Sequence, residues 1–134
     1  MSEKPIKIIR NDSGAQSLIG YEVHIFEDRV EAILPVRDQH RNRLGYLHGG
    51  LTALLLDSTC GYAASRALRV NGPSPVVTLN LQTNFLAPGK GAEMRAVSRV
   101  TRAGRSIVFA DGEVYDESGV LLATGTGTFK AVKV

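Results

Sequence analysis

Only one stretch of this 134-residue chain carries a helical period long enough to cover a sheet, and it lies between His48 and about Leu68. Leu51, Leu54, Leu55, Ser58 and Tyr62 recur at the i, i+3, i+4 spacing of an amphipathic helix. At 1.5 Å per residue this predicts a rod about 30 Å long. Asn71-Gly72-Pro73 stops it. Gly61, inside it, is expected to mark the close approach of another backbone. The remainder reads as strands. Leu18 to Val36 gives two short ones, or one with a bulge, broken at Glu27-Asp28, and Asp38 to Leu47 is a polar loop. Val76 to Phe85 alternates, with Val77, Leu79, Leu81 and Phe85 on one face and Thr78, Asn80, Gln82 and Asn84 on the other. Ala92–Thr101 and Ser106–Tyr115 flank the Ala103-Gly104 connection. Asp116-Glu117-Ser118-Gly119 is a second turn, and Val120–Phe129 follows it. Residues 1–17 are polar apart from Ile6, Ile8 and Ile9, and are expected as an arm or short helix before a single domain over 18–134. A sheet with one apolar face must be covered, and only the long helix can do so. The expected class is α+β, with one helix across the concave face of a strongly curved antiparallel sheet.

Composition narrows the function classes. A 43% hydrophobic and 22% charged chain is ordinary for a globular domain and long enough to bury a core without disulfides. The lone Cys60 cannot form an intrachain disulfide and reads as a buried, inert thiol, which fits a reducing compartment. Met1-Ser2-Glu3-Lys4-Pro5 lacks the apolar run of a signal peptide, and Leu51–Leu56 is far too short to span a membrane. The expected setting is cytoplasmic, away from the membrane. The net charge of +3 is dispersed over groups at Arg37/Arg41/Arg43, Arg66/Arg69 and Arg99/Arg102/Arg105. No clustered basic element reads nucleic acid, although one group could meet the phosphates of a small ligand. His24, His40 and His48 are scattered and give no metal-ligand spacing.

Three features carry chemistry. Asp57 lies in the least polar part of the helix, Ala53 to Gly61, where a carboxylate is rare unless paired or functional; it either projects to solvent, bonds a nearby hydroxyl, or reacts. His48-Gly49-Gly50 precedes the helix. The His could simply cap it, yet glycines let a ligand approach backbone N–H groups that have no intrahelical partner and favour an anion or oxyanion. Asn42 is either a turn residue or an amide placed to orient a carbonyl or water.

Together these residues resemble a known family. Asn42-Arg43-Leu44-Gly45-Tyr46-Leu47-His48-Gly49-Gly50, followed by Asp57 nine residues after His48, is similar to the signature of PaaI-type hotdog-fold acyl-CoA thioesterases. Val77 to Gly89 and Ala123 to Phe129 resemble two further stretches, so the likeness runs from about Leu18 to the end. It implies the hotdog fold and hydrolysis of an acyl- or aryl-acyl-CoA to the free acid and CoA, with CoA as substrate and no bound cofactor or metal. It implies Asp57 as nucleophile or general base and the Gly49 N–H as oxyanion donor. His48 would orient the carbonyl or handle the leaving thiolate, Asn42 would contact the thioester or water, and Thr78 would assist the water or Asp57. It also implies a homodimer, often paired again into a tetramer, in which Asp57 of one protomer faces His48 and Asn42 of its partner. An open sheet edge and the polar alternation of Val76–Phe85 agree with such a junction.

Asn80 stands where some members carry an acid, which leaves substrate selection beside Thr78 open, and Tyr46 and Leu47 either shape an acyl pocket or only pack the loop. Arg102 and Arg105, on the expected hairpin, either bind the CoA phosphates, as in similar members, or merely solubilise a turn. The competing readings are a non-catalytic acyl-CoA binding or sensor protein, which would not require a carboxylate at position 57, and a hotdog enoyl-CoA hydratase. The latter would need a His and an acid poised over a double bond.

Overall fold

The computed structural model describes residues 3–68 and 74–133. Seven antiparallel strands form one sheet: β1 (Lys7–Ile9), β2 (Glu22–Ile25), β3 (Val30–Pro35), β4 (Val76–Phe85), β5 (Glu93–Ala103), β6 (Ile107–Asp116) and β7 (Leu121–Ala131). Their order is β1-β2-β3-β5-β6-β7-β4. Two helices accompany them, the short α1 (Gly14–Ile19) and the long α2 (Gly49–Ala67). The helix α2 contacts β3 to β7 along the inner face of the sheet, giving the expected hotdog architecture. The expected helix stop at Asn71–Pro73, and Arg69, lie outside the described residues.

The fit of helix to sheet rests on Leu55 and Leu56, both fully buried among Val23, Val30, Leu34 and Met94. Gly112 of β6 and Gly125 of β7 are cross-strand partners directly beneath Leu56. A Cβ would stand 2.8 Å from Leu56 Cδ2 at Gly112 and 3.0 Å from Cδ1 at Gly125. These two sheet glycines are therefore the close-approach positions. Gly61 is not: a Cβ there would meet only the Phe129 ring, at an ordinary 3.7 Å, among the described residues. Beyond Leu56, Cys60, Ala64 and Phe129 form a second buried cluster. The polar atoms of that region satisfy one another, with Thr59 Oγ1 and Ser98 Oγ 2.6 Å apart and the Cys60 thiol donating to Ser98.

The stretch expected as an arm or short helix holds the strand β1 and most of the short helix α1. Isoleucines 8 and 9 carry β-branched side chains suited to a pleated edge, and β1 pairs with β2 from Lys7↔Ile25 to Ile9↔Val23. Buried Gln16 ties this edge down by donating its amide to the carbonyls of Ile9 and Tyr21. Ser13 caps α1 through Gln16 N–H, and Gly20 ends it at φ 92°.

In β4 the expected alternation is interrupted. Thr78 pairs with Phe129 and Asn80 with Thr128, so Leu79 is bulged. A bulge inserts one residue and swaps the faces of everything beyond it. Thr78 therefore shares the helix side with Leu81, whereas Asn80, Gln82 and Asn84 lie on the outer surface beside Thr124, Thr126 and Thr128. The expected single face of Thr78, Asn80, Gln82 and Asn84 does not exist. Leu79 is left 55% exposed on an edge strand.

Candidate active site

The start of α2 is built by its loop. Asn42 Oδ1 accepts the N–H groups of Leu44 and Tyr46 at 2.9 and 3.1 Å, closing a turn in which Gly45 takes φ 87°. The Asn42 amide nitrogen is thereby aimed away from that turn, as a donor. His40 holds the next segment: its Nδ1 accepts the Arg37 N–H, so its Nε2–H donates to the Ile19 carbonyl, while its own carbonyl accepts the His48 N–H. His40 is buried and structural.

His48 is the N-cap of α2, its Nδ1 accepting the Gly50 N–H at 2.9 Å. An acceptor Nδ1 places the proton of the neutral ring on Nε2, so the exposed ring offers an N–H donor outward. Gly50 permits this, since a Cβ there would lie 3.0 Å from His48 Nδ1. The Gly49 N–H has no intrahelical acceptor by position and forms no bond among the described residues. Gly49, Asn42, Tyr46, Thr52 and Phe85 line a cavity of about 330 Å³, with the Phe85 ring 3.4 Å from where a Gly49 Cβ would be.

Asp57 is half-buried on α2 and accepts the Thr78 hydroxyl at 2.6 Å. It opens on a second cavity of about 340 Å³, shared with Ser58, Tyr62 and Asp12. Tyr62 was read only as part of the helical period, and Asp12 was not singled out. Tyr62 carried a signal, five residues after Asp57 on the same helix, but Asp12 sits in the supposed arm with no local mark.

The five expected residues therefore form two groups, Asp57 with Thr78 and Gly49 with Asn42, His48 standing exposed beside the latter. Nine residues of helix separate His48 from Asp57, a rise of about 13.5 Å. Within one chain they cannot reach the same bond. Arg102 and Arg105 are exposed at the β5–β6 turn, at the end of the sheet that carries Thr78, because Thr78, Phe129, Val108 and Ala103 stand in one cross-strand row. No group of three or more His, Cys, Asp or Glu side chains converges on a possible metal site among the described residues. No helix described is long and apolar enough to cross a membrane.

Residues 44–123 match the family model described as Thioesterase superfamily, a span holding His48, Gly49, Asp57 and Thr78. Acyl-coenzyme A thioesterase 13 of Mus musculus is 33% identical over 97 residues, which cover 71% of this chain and 67% of that protein. The crystal structure of a Haemophilus influenzae thioesterase superposes with a TM-score of 0.83 at 27% identity, over 91% of this chain and 85% of the other. The E. coli PaaI protein of the phenylacetic acid degradation operon shares the fold, with a TM-score of 0.81 over 91% and 86% of the two chains at 19% identity. The chain belongs to the thioesterase superfamily.

Proposed function

We propose that the protein hydrolyses acyl-CoA thioesters to the free acid and CoA. The observation that carries this reading is the Asp57 carboxylate, half-buried in an apolar helix and held by the Thr78 hydroxyl beside an open cavity. The similarity to an acyl-coenzyme A thioesterase supports the choice of thioester.

The proposed site is completed by a second copy of the chain. Edge strand β4 carries Thr78 near one end and Phe85, beside Gly49, at the other. Two β4 edges paired antiparallel about a two-fold axis bring the Thr78 end of one protomer to the Phe85 end of its partner. Asp57 of one protomer then faces Gly49, His48 and Asn42 of its partner, and the 13.5 Å separation within a chain is bridged (about nine residues of helical rise). Pairing of two such dimers into a tetramer, and a cytoplasmic setting, belong to the same reading.

In the proposed reaction the thioester oxygen receives the Gly49 N–H at the positive end of α2, which stabilises the oxyanion as it forms. Asp57 either takes a proton from water as it attacks the carbonyl carbon, or attacks that carbon itself to form a mixed anhydride that water then hydrolyses to the acid. The C–S bond breaks, a C–O bond forms, and the thiolate leaves near the outward Nε2–H of His48. Asn42 orients the carbonyl or water, and Arg102 and Arg105 supply guanidinium forks to the nucleotide phosphates. A panel of acyl-CoAs with detection of free thiol, run on the native protein and on D57A, tests the reading. Thiol release that requires Asp57 supports it, and binding of acyl-CoA without release by the native protein replaces it with a binding function. Single turnover in ¹⁸O-water identifies Asp57 as the nucleophile when label enters its carboxylate, by water opening a mixed anhydride at the aspartyl carbon.

A further inference from the structure

The cavity beside Gly49 has largely apolar walls, among them Leu47, Phe85, Leu86 and Leu122. The backbone of those walls is already paired. The Leu122 carbonyl accepts the N–H groups of Leu86 and Ala87, and the Gly89 carbonyl accepts that of Leu47. Asn42 Oδ1 is taken up by its own turn. Thr52 also lines the cavity, is only 5% exposed, and its hydroxyl has no hydrogen-bond partner among the described residues. The contrast with Thr59 on the same helix is direct, since that hydroxyl bonds back to the Leu55 carbonyl at 2.9 Å. The corresponding carbonyl for Thr52, that of His48, accepts the backbone N–H groups of Leu51 and Thr52 instead.

Among the described residues no side-chain nitrogen or oxygen sealed from solvent lacks a partner, so the Thr52 oxygen keeps part of its surface open, on the cavity that the residue lines. A hydroxyl so placed needs a partner from water or from a ligand, because leaving it unpaired costs more than one bond contributes. Side chains on a helix lean towards its N-terminus, and residues three apart share a face. Thr52 therefore leans towards the first turn, where the Gly49 N–H is free. In the proposed site that N–H holds the thioester oxygen. Asp57 of the second protomer approaches from the β4 edge, with Arg102 and Arg105 at the same end of its sheet as Thr78. The CoA arm runs towards those arginines, which leaves the Gly49 cavity to the other arm of the thioester.

Resting on the thioesterase reading, we infer that the acyl group enters the Gly49 cavity and that Thr52 is a specificity-determining residue there, its hydroxyl bonding a hydroxyl carried by the acyl group. A volume of about 330 Å³ lies at the small end of the range for ligand pockets and suits a compact acyl group. The Thr52 hydroxyl can donate or accept, so it matches a substrate hydroxyl in either sense. A plain hydrocarbon of the same size displaces water from Thr52 and returns no bond. A pocket with a polar group so placed discriminates against the analogue that lacks its partner.

The test uses the full chain with matched CoA thioesters, butanoyl with 3-hydroxybutanoyl and benzoyl with 3-hydroxybenzoyl, and compares kcat/KM within each pair. The native protein should favour the hydroxylated member of at least one pair by about fivefold or more, the usual net effect of one hydrogen bond. Thr52→Val removes the hydroxyl and keeps the shape, and should bring that ratio to within about twofold of one. Thr52→Ser restores a hydroxyl and should restore the preference, whereas a merely structural role would change both members of a pair alike. Should Thr52→Val fold poorly by thermal melt, Thr52→Ala carries the same expectation. A native protein that favours neither hydroxylated acyl group overturns the inference, as does a native preference that survives in the folded variant, and in both cases hydrolysis itself still stands. A native protein that releases thiol from none of the four overturns the thioesterase reading and the inference with it.

Discussion

Asp57 accepts a hydrogen bond from a neighbour's hydroxyl and faces an open cavity, so replacing it should alter chemistry more than folding. D57N keeps the shape and should lower kcat by about 10²–10⁴-fold, the range for a lost acid–base group, with an unchanged thermal melt. Near-native turnover by D57N would remove Asp57 from the mechanism. T78V removes the 2.6 Å bond alone and should cost about tenfold in kcat, equivalent to about 1.4 kcal/mol. Cys60 gives a pH prediction. Burial pushes its thiol up to about 11, against the smaller opposing effect of its bond to Ser98. A thiol harder to ionise when folded contributes stability fully below its unfolded pKa, and that contribution fades as pH rises towards 11. Denaturant midpoints should therefore fall between about pH 8.5 and 11 in the native protein and fall less in C60A. At this scale residue type and place marked Asp57, His48, Gly49 and Asn42 as candidates, and only the family resemblance joined them into one site. Helical spacing already set His48 and Asp57 far apart, but which residues line a cavity with each, Phe85 beside Gly49 and Asp12 beside Asp57, was not legible, because those neighbours come from distant parts of the chain.

The match of α2 to the sheet turns on Leu56 above the Gly112–Gly125 pair. A methyl at Gly112 would meet Ser98 Oγ at 2.6 Å and Leu56 Cδ2 at 2.8 Å, so G112A should lower stability by about 1–3 kcal/mol, measured by denaturant unfolding. An unchanged midpoint would mean that the helix can lift at no cost. The long helix and the last four strands were readable because period and turn residues agreed over ten or more positions. Two features escaped for physical reasons. The three-residue β1 is too short to show alternation, and its hold on the sheet comes from Gln16, reaching back across a turn. The Leu79 bulge leaves the sequence alternation of β4 intact while exchanging its faces, so the pattern alone placed Thr78 with Asn80, Gln82 and Asn84.

At the scale of the whole molecule, β4 closes one side of the sheet with an open edge, and the two proposed half-sites sit at its opposite ends. The central claim, that one thioester is cleaved between two copies of the chain, is tested most directly by mixing inactive partners. D57A chains retain His48 and Gly49, and H48A chains retain Asp57 and Thr78. Unfolded together, refolded at equal concentration and assayed for thiol release from an acyl-CoA, random two-fold pairing gives half mixed dimers, each with one intact site of two. The account predicts that each variant alone is nearly inactive and that the mixture recovers up to about a quarter of native activity per chain. A mixture no more active than its parents, or a native protein fully active as a monomer, would contradict it.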